Sequence, residues 1–231
     1  MLYLASNSPR RKQLLALGGW SFTVLAAPVD ESVLPGETPE AYVRRLAESK
    51  AWAALPRLAQ LQGGADEPAW IVAADTTVAD CAGAAQILGK PADAAEAQRM
   101  LRQLRGRVHQ VLTGAAVLRI ADRALRSAVE VTQVYMRDYS DAEIDAYIAG
   151  GDPMDKAGAY AIQHPGFHPV QNLQGCHANV IGLPVCRLAA LLSELGAPPH
   201  NGLVEACQKS LQAPCPIGQQ AMGAAGQEAG R

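Results

Sequence analysis

The chain has 231 residues, 49% hydrophobic and 18% charged, with a formal net charge of -2. That length can bury the core of one large domain or two small ones, and the composition is that of a globular protein. The small net charge and a 5% aromatic content argue against a partner drawn by a global field, so neither nucleic acid nor an anionic membrane is expected.

"LYLA" (2–5) reads as a short buried strand. Ser8 then has the character of a helix N-cap and Pro9 that of a first helical residue, and the helix "PRRKQLLAL" stops at Gly18-Gly19. "SFTVLAA" (21–27) is a second strand and "PVDESVLPGE" a loop. Thr38-Pro39 repeats the cap signal and opens the long helix "PEAYVRRLAESKAWAAL".

"GGADEP" (63–68) is a turn-rich break, and "WIVAADTTVA" (70–79) an apolar strand that runs into an acid. Asp93 with Glu96 resembles a capping box and starts a helix ending near Gly106. "HQVLTGAAVLRI" and "AVEVTQVYM" are successive strands of one sheet, and Ser140 with Glu143 caps "DAEIDAYIA". "NVIGLPVCRLAALLSEL" gives a last short strand and a helix.

Strands and helices interleave without strict βαβ regularity, which predicts an α/β fold with a mixed twisted sheet flanked by helices. The predicted domain spans 1–197. From 198 to 231 the chain is rich in Ala, Gly, Gln and Pro and is expected to be a disordered tail. The cysteine count is odd (five) with no C-x-x-C pair, which suits reduced thiols in a cytoplasm. No signal peptide and no apolar run of membrane-spanning length is present.

Several residues carry chemical meaning. In "LASNSPRRK" a strand, a small-residue turn and a helix start place free backbone N–H groups together, a spot that favours an anion. Arg10 and Arg11 lie in the first turn, against the helix dipole. They are either solvated helix charges or one wall of an anion site. Lys50 follows Val43, Leu46 and Ala47 on the apolar face of its helix, so it either snorkels out or meets a buried anion.

Asp75 ends the apolar run "WIVAA", at a strand's carboxyl end where α/β proteins place active sites. A carboxylate there needs a metal, a lysine or a water to act on, or else the following Thr76-Thr77 satisfies it in a structural turn. Lys90 sits between Gly89 and Pro91 on a loop, and Asp30-Glu31 offers further carboxylates. Acids and cations in this combination are the means of metal-assisted phosphoryl chemistry.

"DPMDKAGAYAIQ" (152–163) is either a loop that presses close to a flat ligand, with the Gln163 amide at a base edge, or a plain turn and strand. The five histidines show no metal-binding spacing and read as structural or surface residues. Neither G-x-x-x-x-G-K-[ST] nor G-x-S-x-G occurs.

Taken in order, "LASNSPRRKQLL", "VDESVLPGETPEAYVRRLAESKA", "AADTTV", "LGKPADAAEA", "HQVLTG" and "DKAGAYAIQ…NVIGLP" closely resemble the Maf family of nucleoside triphosphate pyrophosphatases, over roughly residues 2–195. The resemblance implies an inosine-triphosphatase-like fold of two lobes around a central cleft, and a homodimer. It implies hydrolysis of a nucleoside triphosphate to its monophosphate and pyrophosphate with Mg²⁺ or Mn²⁺. Asp75 then looks like the proton acceptor for the attacking water and a metal contact, and Glu31 like a second metal-binding acid.

By the same resemblance, Arg10, Arg11, Lys50 and Lys90 are phosphate-binding cations, and Ser8 with the helix start is expected to hold phosphate by backbone N–H groups. Arg10, Thr76 and Gln163 fall on positions tied to substrate preference. "DKAGAYAIQ" is similar to the branch acting on dTTP and UTP, which implies cleansing of the nucleotide pool and a link to septum formation. The alternatives are the same reaction on 7-methyl-GTP or another non-standard nucleotide, and a division regulator that binds nucleotide without turnover. After Gln163 the chain departs from the family pattern with "HPGFHPVQNLQGCHANVIGLP".

Overall fold

The run Trp70-Ile71-Val72-Ala73-Ala74-Asp75-Thr76-Thr77-Val78-Ala79-Asp80 is dense in β-branched and small apolar residues, and it forms the central strand of the molecule. In the computed structural model, which describes residues 1–58, 60, 68–81, 85–215 and 218, this strand belongs to a seven-stranded mixed sheet. The turn expected at 63–68 lies outside the described residues except for Pro68.

The first strands and helices follow the sequence closely. β1 (Leu2–Leu4) leads into α1 (Pro9–Ala16), capped by Ser8 with Pro9 in its first turn. β2 (Phe22–Val24) precedes α2 (Pro39–Leu58), whose entry is fixed by Thr38 Oγ1 accepting from Ala41 N–H at 3.2 Å. α2 was expected to stop before Pro56, but it continues one turn further. Leu58 is buried and Arg57 donates to the Ala26 carbonyl, so tertiary anchors outweigh the proline.

β3 (Trp70–Asp80) is followed by β4 (Gln86–Leu88), α3 (Ala94–Leu104), β5 (Val108–Arg119) and β6 (Leu125–Met136). Asp93 caps α3 as expected, although Glu96 turns back to Ala92 N–H rather than to Asp93. α4 (Asp141–Ala149) carries the full Ser140–Glu143 capping box. Two short 3₁₀ helices follow (Asp152–Asp155 and Ala157–Ala159), then β7 (Val170–Gln174), α5 (His177–Ile181), α6 (Val185–Glu194) and α7 (Leu203–Leu211).

Two of these elements differ from expectation. "NVI" is helical in α5 instead of forming a strand, because Asn179 turns its amide down onto the sheet, donating to the Val111 carbonyl and Thr132 Oγ1 at 2.9 Å each. The last strand is β7, which pairs with β6 along the edge that "NVI" would have needed. Of the two readings of 152–163, the plain turn and strand is not formed: two 3₁₀ turns occupy the segment.

The tail also differs. Residues 203–211 are helical, with Leu203 and Cys207 buried against the core that α6 covers. Their apolar spacing gives a helix a face worth burying. Positions 216–217 and 219–231 lie outside the described residues.

The strand order is β2-β1-β3-β5-β6-β7, with β4 also paired to β3. β1 runs parallel to β2 and β3, and the other pairs are antiparallel. Side chains of β3 alternate between two packed faces. Ile71 and Ala73 meet Ala47, Ala51 and Ala54 of α2, while Trp70, Val72 and Ala74 meet the face that carries Leu14, Leu188 and Leu192. Beyond these two clusters, a further core around Val78, Leu101, Tyr139 and Tyr160 fills the other end of β3. The first two and the third thus lie at opposite ends of β3, in keeping with two lobes.

Candidate active site

Asp75 was expected at a strand end, yet it lies in the middle of β3. The functional expectation survives for a topological reason. One edge of β3 is paired throughout with β5, from Trp70 to Ala79. The other edge is shared. β1 pairs with Trp70–Val72 and β4 with Val78–Asp80, and among the described residues no strand covers the stretch between. Ala5 N–H closes the β1 side by donating to Val72 O at 2.8 Å. Asp75 therefore occupies a notch at the carboxyl end of the parallel strands, the position that open α/β sheets use for ligands.

That notch opens into a cavity of about 730 Å³. Ser8, Arg10 and Arg11 line it from α1, and Glu31 and Lys50 from the loop before α2 and from α2 itself. Asp75 and Thr76 line it from β3, Lys90 from the loop after β4, and Gln163 from the segment after the 3₁₀ helices. These nine candidates thus border one cavity, whereas Asp30, the other carboxylate of the Asp30-Glu31 pair, does not line it.

The ionic centre is Lys50. Its Nζ lies 2.5 Å from Asp75 Oδ1 and 2.6 Å from Glu31 Oε1. Asp75 follows Ile71 and Ala73 in parity and so faces α2. Lys50 follows Val43 by two helical turns and so faces the sheet. Burial raises the Asp75 carboxyl above its ordinary value, against the opposing charges of Lys50 and Arg11. Burial also pushes Glu31 up, but the Lys50 hydrogen bond and charge, with Lys90 and Arg11, outweigh it and leave Glu31 below its ordinary value. Tyr42 donates to the Glu31 carbonyl at 3.0 Å, and burial beside Asp75 and Glu31 pushes its phenol up to about 12.

Arg11 serves as a strut across the sheet edge. Its Nε donates to Gly182 O at 2.9 Å, and its guanidinium nitrogens reach Thr76 Oγ1 at 3.1 Å and Ser6 Oγ at 3.4 Å. Burial lowers its pKa from a value so high that the charge persists. Thr76 shares its hydroxyl with Thr113 at 2.9 Å, so β3, β5, α1 and the α5 end are tied at one point.

Arg10 takes a different direction and meets Asp155 at 3.6 Å across the cavity. Ser8 caps Arg11 N–H and gives its own N–H to Ser6 Oγ. Among the described residues the N–H groups of Asn7 and Arg10 have no acceptor.

Sequence reasoning passed over Lys156, Asp155 and Tyr160, which also line the cavity. Lys156 holds Asp152 Oδ1 at 3.0 Å and Asp155 Oδ1 at 2.6 Å. The only signal for it was its place in the quoted motif "DKAGAYAIQ". Gly158 N–H donates to Gly89 O at 3.0 Å, so the loops of Lys90 and Gln163 are joined. Among the described residues no group of three His, Cys, Asp or Glu side chains is arranged to hold a metal. Two carboxylates converging on one cation suit a hard divalent ion that draws its remaining oxygens from phosphate and water.

Residues 1–195 match the family model described as "Maf-like protein". The chain is 47% identical over 197 residues to a protein of Geobacter sulfurreducens named dTTP/UTP pyrophosphatase, covering 85% of this chain and 97% of that one. Proteins of the same name from Geotalea uraniireducens and Myxococcus xanthus are each 46% identical. The first match covers 85% of this chain and 95% of the relative, and the second 86% and 94%.

Proposed function

This chain belongs to the Maf family, and from that premise we propose that it hydrolyses dTTP and UTP to the nucleoside monophosphate and pyrophosphate. The observation that carries the reading is the convergence of Asp75, Lys50, Glu31, Arg10, Arg11 and Lys90 on one cavity at the sheet notch. An acid with a raised pKa beside several fixed cations is what phosphoanhydride hydrolysis requires.

Asp75 accepts a proton from a water that attacks the α-phosphorus. The bond from α-phosphorus to the bridging oxygen breaks, and pyrophosphate leaves. Arg10, Lys90 and the free N–H groups at the α1 start bind and neutralise the triphosphate. Arg11, locked by its three acceptors, adds charge at a fixed place. Lys50 balances Asp75 and Glu31 and opposes the burial that raises the Asp75 carboxyl. Glu31 and Asp75 would hold Mg²⁺ or Mn²⁺, which when bound supplies further neutralisation of phosphate oxygens.

Thr76 and Gln163 also border the cavity, and the role proposed for them in substrate preference rests on the family resemblance. A homodimer and a cytoplasmic location complete the proposal and rest on the family resemblance. The described cysteines are unpaired, and no helix among the described residues is long and apolar enough to cross a membrane.

The test is pyrophosphate release over a panel of dTTP, UTP, CTP and 7-methyl-GTP, with and without divalent metal. The expected result is the highest kcat/KM for dTTP and UTP, dependent on metal. Preference for 7-methyl-GTP, or saturable binding with no pyrophosphate, would overturn it.

A further inference from the structure

The cavity has two chemically different ends. Its ionic end holds Lys50, Asp75 and Arg11, and its other end is walled by Val78, Val111 and Tyr160. Tyr160 is only 6% exposed, and its hydroxyl has one partner among the described residues, His109 Nε2 at 2.7 Å. His109 is 1% exposed and its ring meets Tyr160 edge-on, with centroids 5.4 Å apart. The other ring nitrogen, Nδ1, is buried with no partner among the described residues. The mechanism above uses neither residue.

Counting protons decides how this pair is arranged. Burial pushes the His109 imidazole down to about 4, so at neutral pH the ring is uncharged and holds one proton. The pair has two protons and one hydrogen bond. If Tyr160 donates to Nε2, the ring proton sits on Nδ1 and is buried without an acceptor. If Nε2–H donates to the Tyr160 oxygen, Nδ1 keeps only an idle lone pair, which proteins tolerate better than an orphaned N–H. The second arrangement leaves the Tyr160 hydroxyl proton unused on a residue that lines the cavity.

We propose that Tyr160 is a specificity-determining residue whose hydroxyl donates to a ring oxygen of the bound base, and that His109 is the positioning residue that turns that proton toward the ligand. The apolar wall suits a flat ring, and a carbonyl oxygen of a uracil or thymine ring supplies the missing acceptor. The segment is built to hold such a contact. Ala159, directly before Tyr160, is fully buried at a positive φ of 60°, a conformation kept only where surroundings impose it. This inference rests on the nucleotide reading given above.

The experiment combines calorimetry with kinetics and ring-nitrogen NMR of the whole chain. Tyr160→Phe is expected to weaken UMP binding and to raise KM for UTP and dTTP about three- to tenfold, the size of one lost hydrogen bond, with kcat within about twofold. His109→Leu should do the same. His109→Gln, which can donate from a similar position, should restore much of the affinity. The Tyr160→Phe/His109→Leu double variant should be no worse than either single change. NMR of labelled histidine should place the His109 proton on Nε2. Melting temperatures separate loss of fold from loss of recognition.

Unchanged UMP affinity in a folded Tyr160→Phe, or a ring proton on Nδ1, would overturn the proposal. Binding and tautomer are read without turnover. A wild type that binds UMP but releases no pyrophosphate therefore defeats the proposed reaction while still testing this contact.

Discussion

Lys50 and Asp75 meet at 2.5 Å across 25 positions of sequence, one from a helix face that is otherwise apolar and one from the middle of a buried strand. Neither is placed where its own element favours it. The helix loses apolar contact and the strand carries a desolvated carboxylate. Each is tolerated because the other is there, and both line the cavity.

Asp75→Asn keeps the shape and removes the proposed base, so kcat should fall by about 100-fold or more. The folded pKa of Asp75 is raised, so its acid form is favoured by folding. Its contribution to stability is present below the ordinary carboxylate range and lost as pH rises through the raised value. Near pH 7 the variant should therefore melt at the same or a higher temperature than wild type. The acid limb of the wild-type kcat profile should lie above about 4, the ordinary carboxylate value. A variant that melts several degrees lower at pH 7 would contradict this.

Arg11→Ala removes the donor to Gly182, Thr76 and Ser6 together. Hydrogen bonds from a charged group contribute about 1.5–3 kcal/mol, reduced here because the residue is half-buried. The melting temperature should drop by several degrees and KM should rise. Arg11→Lys keeps the charge but not the fork, and should recover little of the stability. If both KM and stability stay at wild-type values, Arg11 is surface charge after all.

Gly114→Ala tests how α2 approaches the sheet. Gly114 pairs with Asp75 across β3 and β5, and a Cβ there would stand 2.2 Å from the Val43 carbonyl oxygen of α2. The neighbour is backbone and cannot rotate away. The helix must shift, at about 1–3 kcal/mol for overpacking, and it carries Lys50 with it. Reduced kcat together with a lower melting temperature is expected, whereas an unchanged enzyme would show that α2 yields without moving Lys50.

Truncation after Pro198 removes α7, whose Leu203 and Cys207 are 2% and 4% exposed. Burying two such side chains stabilises by about 3 kcal/mol or more, so the melting temperature should fall clearly. Cavity-lining residues end at Gly182, so kcat and KM at low temperature should be unaffected. Equal stability of the truncated and full chains would show that α7 adds nothing to the core.

Local signals of the sequence account for much of this molecule. Ser8-Pro9, Thr38-Pro39, Asp93 and Ser140-Glu143 announced four helix starts, because capping is a contract between residues three apart. The ordered motifs also named nine residues that border one cavity. Sequence did not reveal the notch. An acid after "WIVAA" reads as a strand exit, whereas β3 runs on to Asp80, with β5 beside it as far as Ala79.

Only pairing on the other edge, β1 below and β4 above, left Asp75 open to ligand. "NVI" has the β-branched look of a strand, and Leu203 to Leu211 lay in a stretch that reads as low in order. Both are decided by which apolar surface remained to be covered once the sheet had formed. Local chemistry thus determined the helix starts and the residue types of the site. The tertiary structure decided their convergence, because strand pairing and the burial of charge are settled by contacts between residues far apart in the chain.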